Sequence, residues 1–190
     1  MGRIAPTLCA VCIGAGAAQL APSAAATERE WRVGADVGYA AAGLPEGTVG
    51  GFFGGVHGTY GITDAFNLRL NADTSWYAQP PPATYAVLWS TTAGLEYVID
   101  ILSWVPTLGV FAGPAGILRK GGQAPGIVVE DRHETYFALE LPLGLGYQVI
   151  DELTVGVEGR LRWLLFGTAE APITSLISTV RAEYVWGGGP

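Results

Sequence analysis

Serine and histidine are the residue types from which catalysis would be expected first in this chain of 190 residues. A serine nucleophile needs a histidine base within reach, and no His-x-Ser pattern occurs in the sequence. In the strand register predicted below, no histidine lies on a rung near any of the candidate serines, Ser75, Ser90, Ser175 and Ser178. His57 and His133 lack the spacing of a metal site, so polar filling is the simpler interpretation. We therefore predict no catalytic residue, no bound metal and no cofactor.

The glycine-rich segment 50–58 raises the possibility of a phosphate-binding loop. Its sequence, GGFFGGVHG, is not followed by the Lys-Ser/Thr pair of a P-loop, and no helical pattern begins after it. The segment is predicted instead to be a strand that packs closely against its neighbours.

Residues 1–26 have the pattern of a secretory signal peptide. A positive start precedes an apolar, alanine-rich stretch, and Ala24 and Ala26 form the small-x-small pattern that a signal peptidase reads. An uncleaved anchor is disfavoured because glycine and proline interrupt the apolar stretch. Both cysteines of the chain lie in this leader, in a C-x-x-C motif. We predict a signal peptide over 1–26, followed by one domain over 27–190.

The composition is unusual for a protein that presents its surface to water. Only 14% of the residues are charged, the formal net charge is −7 and the mean hydropathy is +0.33, whereas soluble domains carry about 25% charged residues. The acidic balance argues against nucleic-acid binding. No stretch of about 18 residues stays apolar without glycine, proline or a charge, so no spanning helix is predicted. Two classes remain, a small β-rich soluble core and a β-barrel surrounded by lipid.

Apolar and polar residues alternate with period two in one segment after another, which is typical of β-strands. In the fifth segment glycine and Pro114 interrupt the alternation, so its register is left open. Each segment is long enough for a tilted membrane strand of about 9–11 residues. The pattern predicts an all-β fold, an eight-stranded antiparallel transmembrane β-barrel of up-and-down topology. The predicted strands are 30–40, 50–62, 66–77, 84–99, 104–117, 135–149, 153–165 and 174–186.

The connections between these segments alternate in length. The short connections, near 63–65, 100–103 and 150–152, each have a Tyr and an Asp close together. The connections near 41–49, 78–83, 118–134 and 166–173 are longer and carry proline, glycine and charge. Outer-membrane barrels have short periplasmic turns and longer external loops, so we expect the short connections on the periplasmic side.

The polar face of the strands decides which side of the barrel is inside. A water-facing surface would be dense in Lys, Glu and Thr, as in a soluble lipocalin-like carrier. This face instead combines glycines with charges of both signs, which suits the narrow interior of an eight-stranded barrel. The apolar face is then expected to contact lipid.

Buried charges are tolerated only when they pair, so the charged residues of the polar face predict an ion network in the lumen. Hydration in a wet lumen is the alternative. A loop centred near 169–170 would place Glu158 opposite Arg181. The predicted lumen network comprises five arginines and six acids: Arg32, Asp36, Arg69, Asp73, Glu96, Glu140, Glu158, Arg160, Arg162, Arg181 and Glu183.

Aromatic residues near the strand ends are expected to form a girdle at the membrane interface, where amphipathic rings are enriched. The predicted members are Trp31, Tyr60, Trp76, Tyr97, Tyr147, Tyr184 and Trp186.

The leader, the eight amphipathic segments, the Tyr-x-Ile-Thr-Asp-Ala-Phe turn at 60–66 and the final Tyr184-Val185-Trp186 together resemble small Gram-negative outer-membrane β-barrel proteins of the OmpA/OmpW type. The likeness covers essentially all of 27–190. The residues 187–190 depart from it, because such chains usually stop at the terminal aromatic residue. The resemblance implies an outer-membrane location. The partners it implies are outer-membrane lipid, lipopolysaccharide, and the secretion and barrel-assembly machinery.

These observations together predict a non-catalytic barrel with a filled polar lumen and a structural or surface-interaction role. The segment 118–134, which contains Arg119-Lys120 and a run of charges from Glu130 to Glu134, is the expected external interaction loop. A channel for a small solute or an apolar molecule is the alternative within the same fold. A lipid A-modifying barrel enzyme and a soluble ligand carrier are the alternatives of other classes.

Overall fold

The computed structural model describes residues 29–44, 47–79, 84–99, 101, 103–167 and 173–186. The predicted signal peptide, its cleavage site at Ala24 and Ala26, and the residues 187–190 lie outside the described residues. Among the residues that the structure describes, no helix is long and apolar enough to cross a membrane.

Eight long strands close into a barrel, and the predicted eight-stranded antiparallel fold is confirmed. Around the barrel the strands follow the order β1-β10-β9-β8-β5-β4-β3-β2, and the short strands β6 and β7 form a separate hairpin within one loop. The strands are β1 (Trp31–Leu44), β2 (Gly47–Gly61), β3 (Phe66–Ala78), β4 (Tyr85–Val98), β5 (Trp104–Lys120), β6 (Gln123–Ala124), β7 (Ile127–Val128), β8 (Arg132–Ile150), β9 (Leu153–Leu165) and β10 (Ile173–Trp186).

Over the half of the barrel nearer the turns, each strand turns its apolar side chains outward and its small, polar and charged side chains inward. Leu143 and Val157, for example, are 66% and 56% exposed on the outer face, whereas Arg162 and Glu140 are fully buried. Successive residues of a strand point to opposite faces, so the period of the sequence pattern sets this division directly. The predicted assignment of inside and outside therefore agrees with the structure.

The two ends of the barrel differ in the length of their connections. At the turn end, the connections 62–65, 99–103 and 151–152 are short, and both termini of the barrel lie there. At the loop end, the connections are 45–46, 79–84, 121–131 and 166–172.

The connection predicted as a long loop at 41–49 is an exception, and that prediction was wrong. β1 continues to Leu44 and β2 begins at Gly47, so only residues 45–46 separate them. The antiparallel pairing of β1 with β2 continues through the small residues of this stretch, with Gly43 opposite Thr48. Gly47 has a φ of +129°, a conformation that is open to glycine and strained for other residues.

The register of the fifth strand, which the sequence left open, is continuous. Pro114 of β5 and Pro142 of β8 lack an N–H group, but the pairing of β5 with β4 and β8 resumes in the same register beyond each of them. In the last hairpin, Glu158 pairs with Thr179 and Arg181 pairs with Gly156. The predicted direct pairing of Glu158 with Arg181 was therefore wrong by two positions, because the hairpin is centred slightly nearer to β9 than assumed.

Candidate functional site

The middle of the barrel interior holds a layer of buried charges. Every member is at most 8% exposed, so each charge must be balanced by its neighbours rather than by bulk water. The layer comprises His57, four arginines and six acids, namely Arg69, Arg160, Arg162, Arg181, Asp36, Asp73, Glu96, Glu140, Glu158 and Glu183.

Glu158 is the central acceptor of this layer. Its Oε2 atom accepts a hydrogen bond from Arg69 Nη1 at 2.7 Å and another from Arg181 Nη1 at 3.1 Å. Its Oε1 atom accepts from Arg160 Nη2 at 2.6 Å. One carboxylate on β9 thus links arginines from β3, β9 and β10, which are not all neighbours in the sheet. The contact between Glu158 and Arg181 spans the diagonal of the ladder.

A second group of charges lies beside it on β3, β8 and β9. Arg162 Nη2 lies 2.7 Å from both carboxylate oxygens of Asp73, and Arg162 Nε donates to Glu140 Oε1 at 2.7 Å. Arg160 Nη1 reaches the same two acids at 3.1 and 3.3 Å. The Ser90 hydroxyl donates to Asp73 at 3.0 Å. Charge-assisted bonds of this kind are about twice as strong as neutral ones, and here they join opposite walls of the barrel.

The predicted lumen residue Arg32 does not belong to this layer. It lies at the turn end of β1, where its guanidinium is 4.0 Å from the carboxylate of Glu30. The other predicted lumen charges are brought together in the layer. Within the described residues, no group of three or more histidine, cysteine or acidic side chains is arranged to hold a metal ion.

His57, interpreted from the sequence as polar filling, occupies a specific position in the layer. Its Nδ1 atom is 2.8 Å from Asp36 Oδ2 and its Nε2 atom is 2.8 Å from Glu183 Oε1. Its place on the inward face of β2 is visible in the sequence pattern. The two carboxylates that flank it become apparent only when β1, β2 and β10 are aligned.

An apolar cluster fills the interior on the loop side of the charges, and sequence reasoning missed it. Its members come from all eight barrel strands and lie toward their loop ends, on the face that is polar elsewhere. The cluster consists of Ala40, Ala42, Phe53, Tyr77, Ala86, Leu88, Ala115, Ile117, Tyr136, Ala138, Leu164, Ile173 and Ile177. The signal was present as a change in the inward residues along each strand, from charged to apolar. The interior is therefore polar in its middle and apolar toward the loops, rather than polar throughout.

Two cation–π contacts join buried aromatic rings of the interior to the charges. The guanidinium of Arg160 lies over the ring of Phe53, 5.6 Å from its centroid. The guanidinium of Arg69 lies at the same distance from the ring of Phe111. Arginine stacks favourably on aromatic faces when water is excluded, so these rings complete the packing around the ions.

Aromatic rings encircle the turn end of the outer face. Pairs on adjacent strands pack with ring centroids 4.7 to 5.2 Å apart: Trp31 with Tyr60, Phe66 with Tyr97, and Trp104 with Tyr147. Tyr184 and Trp186 continue the belt on β10.

A second aromatic belt lies toward the loop end. There the predicted girdle residue Trp76 stacks on Phe52 at 5.8 Å, so the predicted girdle is divided between the two ends. Along β3 ten residues separate Phe66 from Trp76. That distance is about 33 Å of strand and roughly 25 Å along the axis at the usual tilt, the height of an outer-membrane apolar band.

Comparison with known proteins gives the same architecture. No protein-family model matches the chain, and no curated protein matches its sequence. The chain resembles the crystal structure of Neisserial surface protein A, NspA, with 18% identity and a TM-score of 0.69 over 81% of this chain and 96% of NspA. This chain has the fold of the small outer-membrane β-barrel proteins.

Two further outer-membrane barrels have the same fold at lower similarity. Ail of Yersinia pestis is 11% identical, with a TM-score of 0.54 over 84% of this chain and 99% of Ail. The N-terminal barrel domain of OprF from Pseudomonas aeruginosa is 12% identical, with a TM-score of 0.52 over 84% of this chain and 99% of that domain. The apolar band and the two aromatic belts of the present outer-membrane barrel fit this fold.

Proposed function

We propose that the protein is a non-catalytic, integral outer-membrane barrel whose filled interior makes it a rigid support for its loops. The observation that carries this proposal is the stacking of two buried layers inside the barrel, the ion network and the apolar cluster. Eight strands leave an interior just wide enough for side chains to fill. The network charges are at most 8% exposed, so this interior serves for stability rather than for passage.

The outer face supports the membrane location. Apolar side chains such as Leu68, Leu108 and Leu176 are about half exposed on it, and an exposed apolar surface of this extent would not be stable in water. Outer-membrane lipid and lipopolysaccharide are therefore its proposed surroundings. The predicted signal peptide supports export by the secretion machinery, and the aromatic residue Trp186 at the end of the last strand supports assembly by the outer-membrane barrel-assembly machinery.

The loop 121–131 is the proposed interaction element. It carries the β6–β7 hairpin; Val128 at the end of β7 is 70% exposed, and Val129, which follows it, is 39% exposed. Ail was solved with a heparin analogue, sucrose octasulfate, which is a polyanion. Between residues 118 and 134 the present chain has three basic and three acidic residues. This balance favours a partner bound through mixed polar and apolar contacts over a polyanion.

The proposal is tested by conductance in planar bilayers. The purified barrel is expected to stay silent, with a large-pore porin in the same lipid as the positive control. Discrete conductance steps at the purified barrel would overturn the sealed interior and favour the solute channel. Envelope fractionation tests the location, because recovery of the mature protein from a detergent-free periplasmic extract would contradict it.

The enzyme alternative is tested separately on lipid A. The ring nitrogens of His57 are both engaged by carboxylates, and the Ser90 hydroxyl donates to an aspartate, so neither forms a nucleophile–base pair. Lipid A from a deletion strain is therefore expected to have the same mass spectrum as lipid A from the wild type. A shift by an acyl chain in the deletion strain would contradict the non-catalytic proposal.

A further inference from the structure

His57 bridges the seam where the barrel closes. The seam is the antiparallel pairing of β1 with β10, the first and last strands, and His57 belongs to β2 on the other side of β1. In the register, Gly34 of β1 is paired with His57 on one side and with Glu183 of β10 on the other. The imidazole crosses over β1 and reaches Glu183 with Nε2 at 2.8 Å. Its Nδ1 atom holds Asp36 of β1 at 2.8 Å.

Gly34 provides the space for this crossing. A Cβ atom at position 34 would lie 2.3 Å from His57 Nε2 and 2.5 Å from Cε1. Any other residue would therefore push the ring out of its place between the two carboxylates, and its Cβ would also meet the backbone oxygen of Ala182 on β10 at 2.8 Å. Gly58, on the outward face of β2, has open space where its Cβ would be, so it provides a matched glycine without this role.

The two short contacts favour the doubly protonated ring when both acids are ionised. A neutral imidazole has one N–H donor and one bare nitrogen. At 2.8 Å a bare nitrogen would face a carboxylate oxygen lone pair to lone pair, whereas an imidazolium donates to both acids. Arg69 Nη2 lies 3.8 Å from Asp36 Oδ2, and Arg181 Nη1 lies 3.8 Å from Glu183 Oε1, so each acid also faces one arginine.

The charge balance of the buried layer agrees with this state. Its four arginines face six carboxylates, which leaves two negative charges in excess when His57 is neutral. A proton on His57 brings the balance to five against six. The arginines that face Asp36 and Glu183, Arg69 and Arg181, are both also paired with Glu158 and Glu96.

We propose that His57 is a buried imidazolium clasp that fastens the first strand to the last strand of the barrel. The clasp supplements the backbone ladder of the seam with two charge-assisted hydrogen bonds from a third strand. It does not depend on the function proposed above, because it would serve a silent barrel and a channel equally.

Nitrogen NMR of the wild-type protein in detergent micelles at pH 7, labelled with ¹⁵N in histidine, tests the charge state. Both ring nitrogens of His57 are expected to show protonated shifts, and both N–H protons are expected to exchange slowly. The exposed His133 gives the comparison signal, and this signal is assigned by its disappearance in the variant His133→Gln. One bare ring nitrogen at His57 would overturn the clasp, and this measurement does not require any variant to fold.

Hydrogen exchange on two variants tests the seam. In His57→Gln and Gly34→Ala, amides of the β1–β10 seam are expected to exchange about tenfold faster, as for loss of one charge-assisted bond. Amides between β3 and β4 are expected to stay at wild-type rates, and so are all amides in Gly58→Ala. Wild-type exchange at the seam in His57→Gln would overturn the proposal whatever Gly34→Ala shows, because a Cβ at position 34 also meets the backbone of β10. Equal acceleration around the whole barrel would overturn it too.

Discussion

Arg181 of β10 and Glu158 of β9 form an ion pair at the centre of the barrel, with 3.1 Å between Nη1 and Oε2. Replacing Arg181 by leucine leaves its acidic neighbours with one fewer counter-charge in a water-poor interior. Glu158 keeps Arg69 and Arg160, so the expected loss is near the lower end of the roughly 3–5 kcal/mol seen when a buried pair is broken.

Samples are heated to increasing temperatures and run on a gel. The temperature at which the band of the folded barrel disappears measures this loss of stability. Arg181→Leu should lower that temperature clearly. Ser178→Ala, an outward-facing change on the same strand, provides the control and should leave it unchanged. Equal heat resistance of Arg181→Leu and the wild type would contradict a stabilising role of the ion network.

Arg162 and Asp73 should be energetically coupled, because one guanidinium nitrogen lies 2.7 Å from both carboxylate oxygens. Arg162→Met and Asp73→Asn should each destabilise the barrel. The double variant should lose about 2 kcal/mol less than the sum of the two, as is found for residues in direct contact. Urea unfolding in lipid vesicles measures all three free energies, and additivity within about 0.5 kcal/mol would show that the two residues act independently.

Much of the fold could be predicted from sequence because the face that a strand residue occupies is a local property. The period of two that places Leu143 outside and Arg162 inside depends only on neighbours along the chain. The burial of the charged residues followed from the same alternation, combined with the narrowness of an eight-stranded barrel.

The contacts between strands could not be predicted in the same way. The residue opposite Glu158 depends on the register of the β9–β10 hairpin, and moving the hairpin centre by one residue changes that register. Long arginine side chains also contact residues diagonal to the ones they face in the sheet. The role of His57 depends on three strands at once, one of them at the other end of the chain. The apolar cluster around Leu88 was missed because the alternation was treated as uniform along each strand.

The outer face should penalise a charge according to its depth in the membrane. Leu143 lies near the middle of β8 on the lipid face and Val149 lies near its turn end on the same face. Leu143→Lys should cost about 2–4 kcal/mol, as at the bilayer midplane, and Val149→Lys about 0–1 kcal/mol, as near the interface. Urea unfolding in vesicles measures both, and equal penalties at the two positions would show that this face does not cross a hydrocarbon layer.

Order in the loop 121–131 should depend on pH through Asp131. The side-chain hydrogen bond from Lys120, and then the backbone N–H of Gly121 at 3.0 Å, hold the pKa of the Asp131 carboxyl below its usual value. The same contact raises the pKa of Lys120. Because the ordered loop prefers the ionised carboxylate, its stabilisation is complete above the usual aspartate pKa of about 4 and is lost as the pH falls through the lowered pKa.

The amide signal of Gly121, followed by NMR from neutral to acidic pH, reports this transition. Its midpoint should lie below about 4, the usual aspartate value. Lys120→Gln should move the midpoint upward because it removes the larger of the two stabilising contacts, and Asp131→Asn should abolish the transition. A midpoint at the usual value in the wild type, unmoved by Lys120→Gln, would mean that Lys120 and Asp131 do not hold this loop together.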